Sequence, residues 1–566
     1  MKRNKIVTVL NRDWIIFFIF LAAISIRVLY VFQILQFPLT EYFIKSYTFD
    51  QYTYNTSAIK IMSEGWIGSQ VFAKEPLYPY FLAIIYKIFG YSHIPVYIIQ
   101  TIFTSLGALF LCRIATILFN KLTGYITAFI FAFYSLSIYY DALLLRESFI
   151  ASLGIFLLYI ILKAEIKNKA GPWFLAGITL GFLMITRHNM LFPFILIYIF
   201  TAKKPFSRAF RFALIFTAGF FIIIMPVLIR NYAVSGGEYI GISKEVNAFW
   251  VGNNPTASGV DVDWSKEYEY LNSKAGGNTL KTAVVFFEEI KKRPDAYIRL
   301  YLRKAWMFFN GYEAPSNTNY YIYREEFPTA LRWPLFSFQF VCALGILGVF
   351  LSLFMKPARP YIAYIFFLVL SVSVILFHIQ DRFRLVVVPF FIIFASYSIY
   401  IIIQGIRNSA YLKPAIGIII SVFLYILIRP DLTYGGFRTG QSKIRPNDRT
   451  NLALSYVNAY EKEKSSNLLK LAFRQCNLAL KEANSFYVPY LIKGRVYFLE
   501  GRLISSINEY KKAVIYNNRN PFLYNELAGV YYARGAYWKS FLCIKRALHL
   551  YPGNKGFEKN LSLIHL

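Results

Sequence analysis

From Trp14 to Phe37 the chain is almost unbroken in apolar residues, and this run follows a basic stub of Lys2, Arg3, Lys5 and Arg12. Its length suits a helix that crosses a bilayer, and no short apolar stretch with a small-residue cleavage site marks a removable signal peptide. Further apolar runs of about 17 to 25 residues centre near Ser105, Phe131, Leu157, Gly181, Ile195, Gly219, Gly345, Leu368, Phe394 and Ile419, which predicts about eleven spans. The basic residues then set the orientation. With the N-terminus inside, the cytoplasmic turns hold Lys121; Lys163, Lys167 and Lys169; Lys203, Lys204, Arg208 and Arg211; Lys356 and Arg359; and Arg407 and Lys413. This is the positive-inside pattern. The outer loops at about 38–93 and 231–333, and everything after Pro430, then face outward.

The pattern changes after residue 430. Gly435, Gly436, Gly440, Pro446 and Asn447 mark a linker over 431–450, and the periodicity of 451–566 is that of polar, amphipathic helices. Gly501 and Gly535 are 34 residues apart, as are Tyr497 and Tyr531, Ser506 and Ser540, and Ala513 and Ala547. That period, with small residues where two helices must approach, is the tetratricopeptide signature. A weaker earlier repeat carries Tyr456, Ala472 and Ala479. Two functions suit such an array: a docking surface for a protein partner, or a cap that packs on the membrane domain 1–430.

Composition agrees with the spans. Of 566 residues, 57% are apolar and 16% charged, against roughly half and a quarter in soluble domains. A soluble enzyme is excluded, and four cysteines are too few for a disulfide scaffold. The formal charge of +31 is explained by cytoplasmic loops meeting anionic membrane lipid. No nucleic-acid motif accompanies it, so nucleic acid is not expected as a partner.

Charges at the outer edge of a membrane are expensive and carry information. The first outer loop holds Asp50 in FDQYTYNTSA and then Lys74, Glu75, Pro76 and Pro79 in FAKEPLYPY. The prolines keep a helix from running through Lys74, and the apolar stretch from Leu77 to Gly90 is too short to span, so it is expected along the interface. A second outward turn, YYDALLLRESF, offers Asp141, Arg146 and Glu147. Asp141 and Glu147 would not share a helix face, so at most one of them is expected to face a shared cavity. Arg187 and His188, Arg230, and His378, Asp381, Arg382 and Arg384 lie in other outward turns. Guanidinium groups there suit an anionic phosphate, or serve lipid headgroups or the nearby carboxylates. Five histidines without HxxxH spacing favour structural roles over metal ligation, and Asp261-Val262-Asp263 suits a solvated turn.

In combination these motifs resemble the polytopic glycosyltransferases of the dolichyl-phosphate-mannose protein mannosyltransferase type, which include the bacterial aminoarabinose transferases and share the GT-C membrane fold. That family carries an Asp in the first outer loop, followed by Tyr and Ala and then a Lys-Pro-Pro-Leu-Tyr-Pro block. Here Asp50, Tyr54 and Ala58 precede Lys74-Glu75-Pro76-Leu77-Tyr78-Pro79. Glu147 in LLRESF matches the acidic residue of the second outer turn, and LIRNY, FWVGNNPTASG, FFEEIKKRPDAYIRLYLRKAW and DRFRLVVVP also fit the family. The likeness spans about residues 10 to 400, with one departure, Glu75 where the family commonly has Pro.

The resemblance implies an all-α, GT-C-like membrane domain with a C-terminal tetratricopeptide-repeat domain. It implies an inverting enzyme that moves a sugar from a polyprenyl phosphate to an envelope glycan, lipid or protein, on the outer face of a bacterial plasma membrane. Asp50 would be the general base and Glu147 would orient the acceptor or a cation. Lys74, Arg230, Arg382 and Arg384 would hold the donor phosphate, and Tyr54, Arg187 and His188 would contact substrate. No nucleotide or metal is required by this scheme, and a divalent cation stays an open alternative. Two other readings compete: a lipid-linked oligosaccharide ligase or polymerase, and a noncatalytic scaffold that presents the repeats. A transporter fits less well, because the acidic residues fall in outer turns and not in broken helices at mid-membrane.

Overall fold

A computed structural model of the chain describes residues 13–187, 205–244, 248–259, 265–276, 279–355, 360–430 and 443–564. Among the described residues the secondary structure is helical, with one isolated parallel bridge between Tyr134 and Phe336. Among the described residues, six helices are long and apolar enough to cross a membrane: Trp14–Ile34, Ile94–Leu118, Glu147–Lys167, Phe206–Val234, Phe338–Met355 and Val388–Arg407. Four other expected spans are shorter apolar helices, Lys121–Ala132, Ala170–Met184, Pro360–Leu376 and Leu412–Leu427. The run centred near Ile195, with His188 and the Asp261-Val262-Asp263 turn, lies outside the described residues.

The run around Phe131 is divided for a local reason. Its helix stops at Ala132, and the backbone of Phe133 and Ser135 bonds instead to Phe336 (3.0 Å each) before Ser135–Asp141 resumes as a helix. Leu77–Phe89 forms a 13-residue apolar helix that starts directly after Pro76, which leaves Lys74 in a loop as the prolines predict. Small residues set the tightest helix contacts. A Cβ at Gly177 would collide with the Phe216 carbonyl, and one at Gly219 with that of Phe174, so Ala170–Met184 and Phe206–Val234 touch backbone to backbone.

The chain divides into two compact units, and the larger holds Met1–Ile34, Tyr47–Arg324 and Pro328–Thr439. Its interior contains a buried ion pair between Arg27 of the first span and Asp141 (2.9 Å). Arg27 also donates to the Ala132 carbonyl (2.6 Å), and Thr104 donates to the other Asp141 oxygen (2.8 Å). Asp141 is thus a structural residue that ties the first span to the turn between helices, and it is not free to meet a substrate.

The smaller unit comprises Leu35–Ser46, Glu325–Phe327 and Gly440–Leu566. Its helices pair as Pro446–Glu463 with Ser466–Glu482, Tyr487–Leu499 with Leu503–Tyr516, and Pro521–Ala533 with Tyr537–Leu550, followed by Lys555–Ser562. The first begins inside the stretch expected to be linker, because Pro446 opens its first turn and Asp448 folds back to cap the Arg445 N–H (3.0 Å). The 34-residue period has a bonding counterpart. Ser506 donates to the Gly494 carbonyl (2.7 Å), and Ser540 donates to the equivalent Ala528 carbonyl (2.9 Å). Gly501 and Gly535 turn the chain between paired helices at φ +75 and +79°, the left-handed region that favours glycine. Two pieces from outside the repeats complete this unit. The Pro38–Lys45 helix packs on Pro446–Glu463, with Lys462 on Glu41 (2.7 Å), while Glu326 accepts from Gln475 (2.7 Å).

Candidate active site

Asp50 opens the Asp50–Glu64 helix, and its two carboxylate oxygens face different cations. Lys74, from the loop before Pro76, bonds Oδ1, and Arg382 Nη1 reaches Oδ2 at 2.7 Å. The three residues come from the first outer loop and from a turn more than 300 positions later. Their side chains keep 16, 19 and 16% exposure for Asp50, Lys74 and Arg382, enough for a ligand to reach them. Burial by itself would raise the Asp50 carboxyl, but Arg382 and Lys74 outweigh it and hold that carboxyl well below the usual aspartate range. The same carboxylate offsets the burial of Arg382 and holds its guanidinium above the ordinary value.

A second layer of charge lies around this triad. Tyr54, one turn after Asp50, is buried with Lys74 Nζ 5.4 Å and Arg146 Cζ 5.7 Å from its ring centre. Arg146 pairs with Glu75 and donates to the Thr186 carbonyl (2.7 Å). Arg187 pairs with Glu147 at 2.5 Å, where the two side chains are 6 and 1% exposed. The Leu77 N–H bonds the Ile185 carbonyl (3.2 Å), so with the Arg146 contacts the segments around residues 75–77, 146 and 185–187 are stitched together here. Phe383 meets two like charges, with Arg187 and Arg382 each 4.7 Å from its ring centre. Contact with an aromatic ring lowers the penalty of placing two guanidinium groups in one buried neighbourhood.

Of the residues expected from sequence, Asp50, Lys74, Tyr54, Arg187, Glu147 and Arg382 fall in this one region. Glu147 is one layer removed, bonded to Arg187 and not to Asp50. Two others fall elsewhere. Arg384 is fully buried and faces away: it pairs with Glu313 (2.6 Å) and donates to the carbonyls of Asn310 (2.6 Å) and Tyr312 (2.9 Å). The reason is geometric, since residues two apart on the one-turn Asp381–Arg384 helix point about 200° apart, so Arg382 and Arg384 cannot share a face. Arg230 binds the backbone of the first loop, at the Ile67 and Gln70 carbonyls (2.7 Å each), with its guanidinium 3.9 Å over Phe72. It holds the backbone ahead of Lys74, and the side chains bonded to Asp50 are those of Lys74 and Arg382.

Arg146 and Glu75 were not expected in the site. The signal was available in Glu75, an acid beside a lysine and a proline, but nothing in the sequence names its partner. His378 is buried against Phe383 (ring centres 4.8 Å apart), and burial, with Arg382, Lys304 and Arg187 nearby, pushes it down to about 3, so it is neutral. Among the described residues no group of three or more His, Cys, Asp or Glu side chains could hold a metal ion.

Residues 73–229 match the family model described as dolichyl-phosphate-mannose-protein mannosyltransferase. No curated protein matches the chain. Among solved structures, the oligosaccharyltransferase of Archaeoglobus fulgidus tethered to an acceptor peptide containing the NVT sequon is 13% identical, with a TM-score of 0.43 over 88% of this chain and 59% of that one. The oligosaccharyltransferase AglB of the same organism, in complex with an inhibitory peptide and a dolichol-phosphate, is also 13% identical, with a TM-score of 0.41 over 85% of this chain and 58% of that one. The chain thus spans little more than half the length of the solved proteins it matches. The likeness to the mannosyltransferase model lies along the stretch that supplies Lys74, Glu75, Arg146, Glu147 and Arg187.

Proposed function

We propose that the chain transfers a sugar from a polyprenyl-phosphate-linked donor to an envelope acceptor, outside a bacterial plasma membrane, with inversion at the anomeric carbon. The observation that carries this reading is the Asp50 carboxylate held by Lys74 and Arg382 at a partly exposed point of the outer turns. Asp50 takes the proton of the acceptor O–H as that oxygen bonds to the anomeric carbon. The bond from that carbon to the phosphate oxygen breaks, and its electron pair leaves on the polyprenyl phosphate. Lys74 and Arg382 meet the negative charge that develops there.

In the free protein both cations are engaged by Asp50, whose carboxylate is therefore a weak base. A donor phosphate between Lys74 and Arg382 draws their charge away, and the basicity of Asp50 rises when the donor is in place. Tyr54 and the Arg187–Glu147 pair form a polar floor on which sugar or acceptor hydroxyls are oriented. The lipid tail stays in hydrocarbon while its headgroup meets these residues. The repeat unit is assigned to the outside of the membrane, because the positive-inside pattern leaves everything after Pro430 there. There it would present a protein acceptor or partner.

Mass spectrometry of lipid extracts and envelope fractions, from cells with and without this chain, tests the reading. The expected result without the chain is a rise in one polyprenyl-phosphate monosaccharide and the loss of that sugar from one acceptor. A rise in a lipid-linked oligosaccharide instead would make the protein a ligase, and unchanged lipids and envelope would overturn the transferase.

A further inference from the structure

Arg382 sits six residues beyond Leu376, the last residue of the preceding span, yet its guanidinium must be fixed to a fraction of an ångström to serve a phosphate. The segment 377–380, between the end of the Pro360–Leu376 helix and the one-turn Asp381–Arg384 helix, is not itself helical. This segment and Asp381 are held at several points by residues of the 231–333 loop. The Ile379 N–H bonds the Gly259 carbonyl (2.8 Å), and the Asp381 N–H bonds that of Ala314 (2.9 Å). Gly252 lies so close that a Cβ there would be 2.5 Å from the Phe377 carbonyl oxygen and 2.7 Å from the His378 Cβ. Lys304, fully buried in the Pro294–Phe309 helix, donates to the same Phe377 carbonyl.

The placement of Lys304 is unusual in what surrounds it. Its Nζ bonds Asn253 Oδ1 at 2.8 Å, and that oxygen also accepts from Tyr301 (2.7 Å). Asn253 is in turn fully buried and donates to the Phe249 carbonyl (2.8 Å). The two partners given to Lys304 are therefore neutral oxygens. Burial pushes its ammonium down to about 7. A lysine is an expensive way to hold a carbonyl in a buried place, where an apolar side chain would pack at no such penalty. What it supplies is one nitrogen that donates to both Asn253 and the Phe377 carbonyl, at the root of the segment that ends in Arg382.

We infer that Lys304, with Asn253 and Gly252, is a positioning cluster by which the 231–333 loop sets Arg382 against Asp50 and the donor phosphate. This assigns a role to two sequence motifs that the transfer chemistry itself leaves unused, FWVGNN and YLRKAW. It rests on the reading of Arg382 as a phosphate contact, and the test separates the two. Purified full-length protein in detergent is titrated with a polyprenyl monophosphate, the product of the proposed reaction, and binding is followed for wild type, Lys304→Met, Arg382→Gln and the double variant.

Lys304→Met is expected to weaken binding about tenfold in the wild-type background and less than about twofold when Arg382 is already Gln. An equal loss in both backgrounds overturns the inference, since Lys304 would then act on the fold and not through Arg382. If Arg382→Gln alone leaves binding unchanged, the phosphate assignment of Arg382 fails first. Gly252→Ala gives a second, independent approach. It displaces the same carbonyl without touching a charge, and its loss of binding should vanish in the same way when Arg382 is Gln. Persistence of that loss counts against the cluster.

Discussion

Asp50→Asn is expected to lower transfer by about 10²- to 10⁴-fold, the usual contribution of a positioned general base, while binding of a polyprenyl monophosphate holds or tightens. The two halves of this result come from one geometry. Asparagine keeps the shape of the side chain but cannot accept the acceptor's proton, so turnover falls. It also releases Lys74 and Arg382, which the carboxylate engages at Oδ1 and Oδ2. Both cations then become fully available to a phosphate, and affinity for the leaving group does not suffer. A residue that merely supported the fold would lose binding and turnover together. The same ion pairs set the acid limb of the pH profile. Because the folded-state carboxyl is depressed, Asp50 stays ionised as pH falls through the ordinary aspartate value near 4, and kcat/KM should hold until below about that pH. Activity retained by Asp50→Asn, or an acid limb well above the aspartate range, would remove Asp50 from the role of base.

Much of this site was legible in the sequence because membrane proteins ration charge. Asp50, Lys74, Glu147, Arg187 and Arg382 each stand out in outward turns between apolar runs, where an ionised group needs a reason. The prolines at 76 and 79 announced that Lys74 would sit in a loop, and the helix beginning at Leu77 agrees. Pairing was not legible. Asp141 and Glu147 occupy the same short turn, yet one turns inward to Arg27 and the other meets Arg187, a choice made by tertiary packing. Arg382 and Arg384 read as equivalent donors in DRFR, and only the helical turn that separates their faces reveals that Arg384 belongs to Glu313. The 34-residue period was plain from glycine and alanine spacing. The two pieces that complete the repeat unit, residues 35–46 and 325–327, could not be found that way, because they carry no repeat signal and join it only in three dimensions.

The same logic makes Glu75 the most sensitive structural residue near the site. Between Lys74 and Pro76 this chain has a carboxylate that is 3% exposed and bonded to Arg146. The neighbourhood holds four cations, Lys74, Arg146, Arg187 and Arg382, against three carboxylates, Asp50, Glu75 and Glu147. Removing Glu75 leaves four against two, and strips Arg146 of its carboxylate in a buried place. Breaking a buried pair from one side typically costs about 3 to 5 kcal/mol, whereas replacing both partners with apolar groups is often near neutral. Glu75→Ala and Arg146→Met are therefore each expected to lower the unfolding temperature sharply in detergent, and the double variant should recover most of the loss. Thermal unfolding of the four proteins measures this directly. Additive losses would mean that the two residues stabilise the outer turns independently, through Thr186 and Tyr54 on the Arg146 side, and that the carboxylate at 75 is no compensation for the arginine at 146. Recovery would explain how the first outer loop keeps Lys74 in place: the residue after it is held by an ion pair to the turn that opens the Glu147–Lys167 helix.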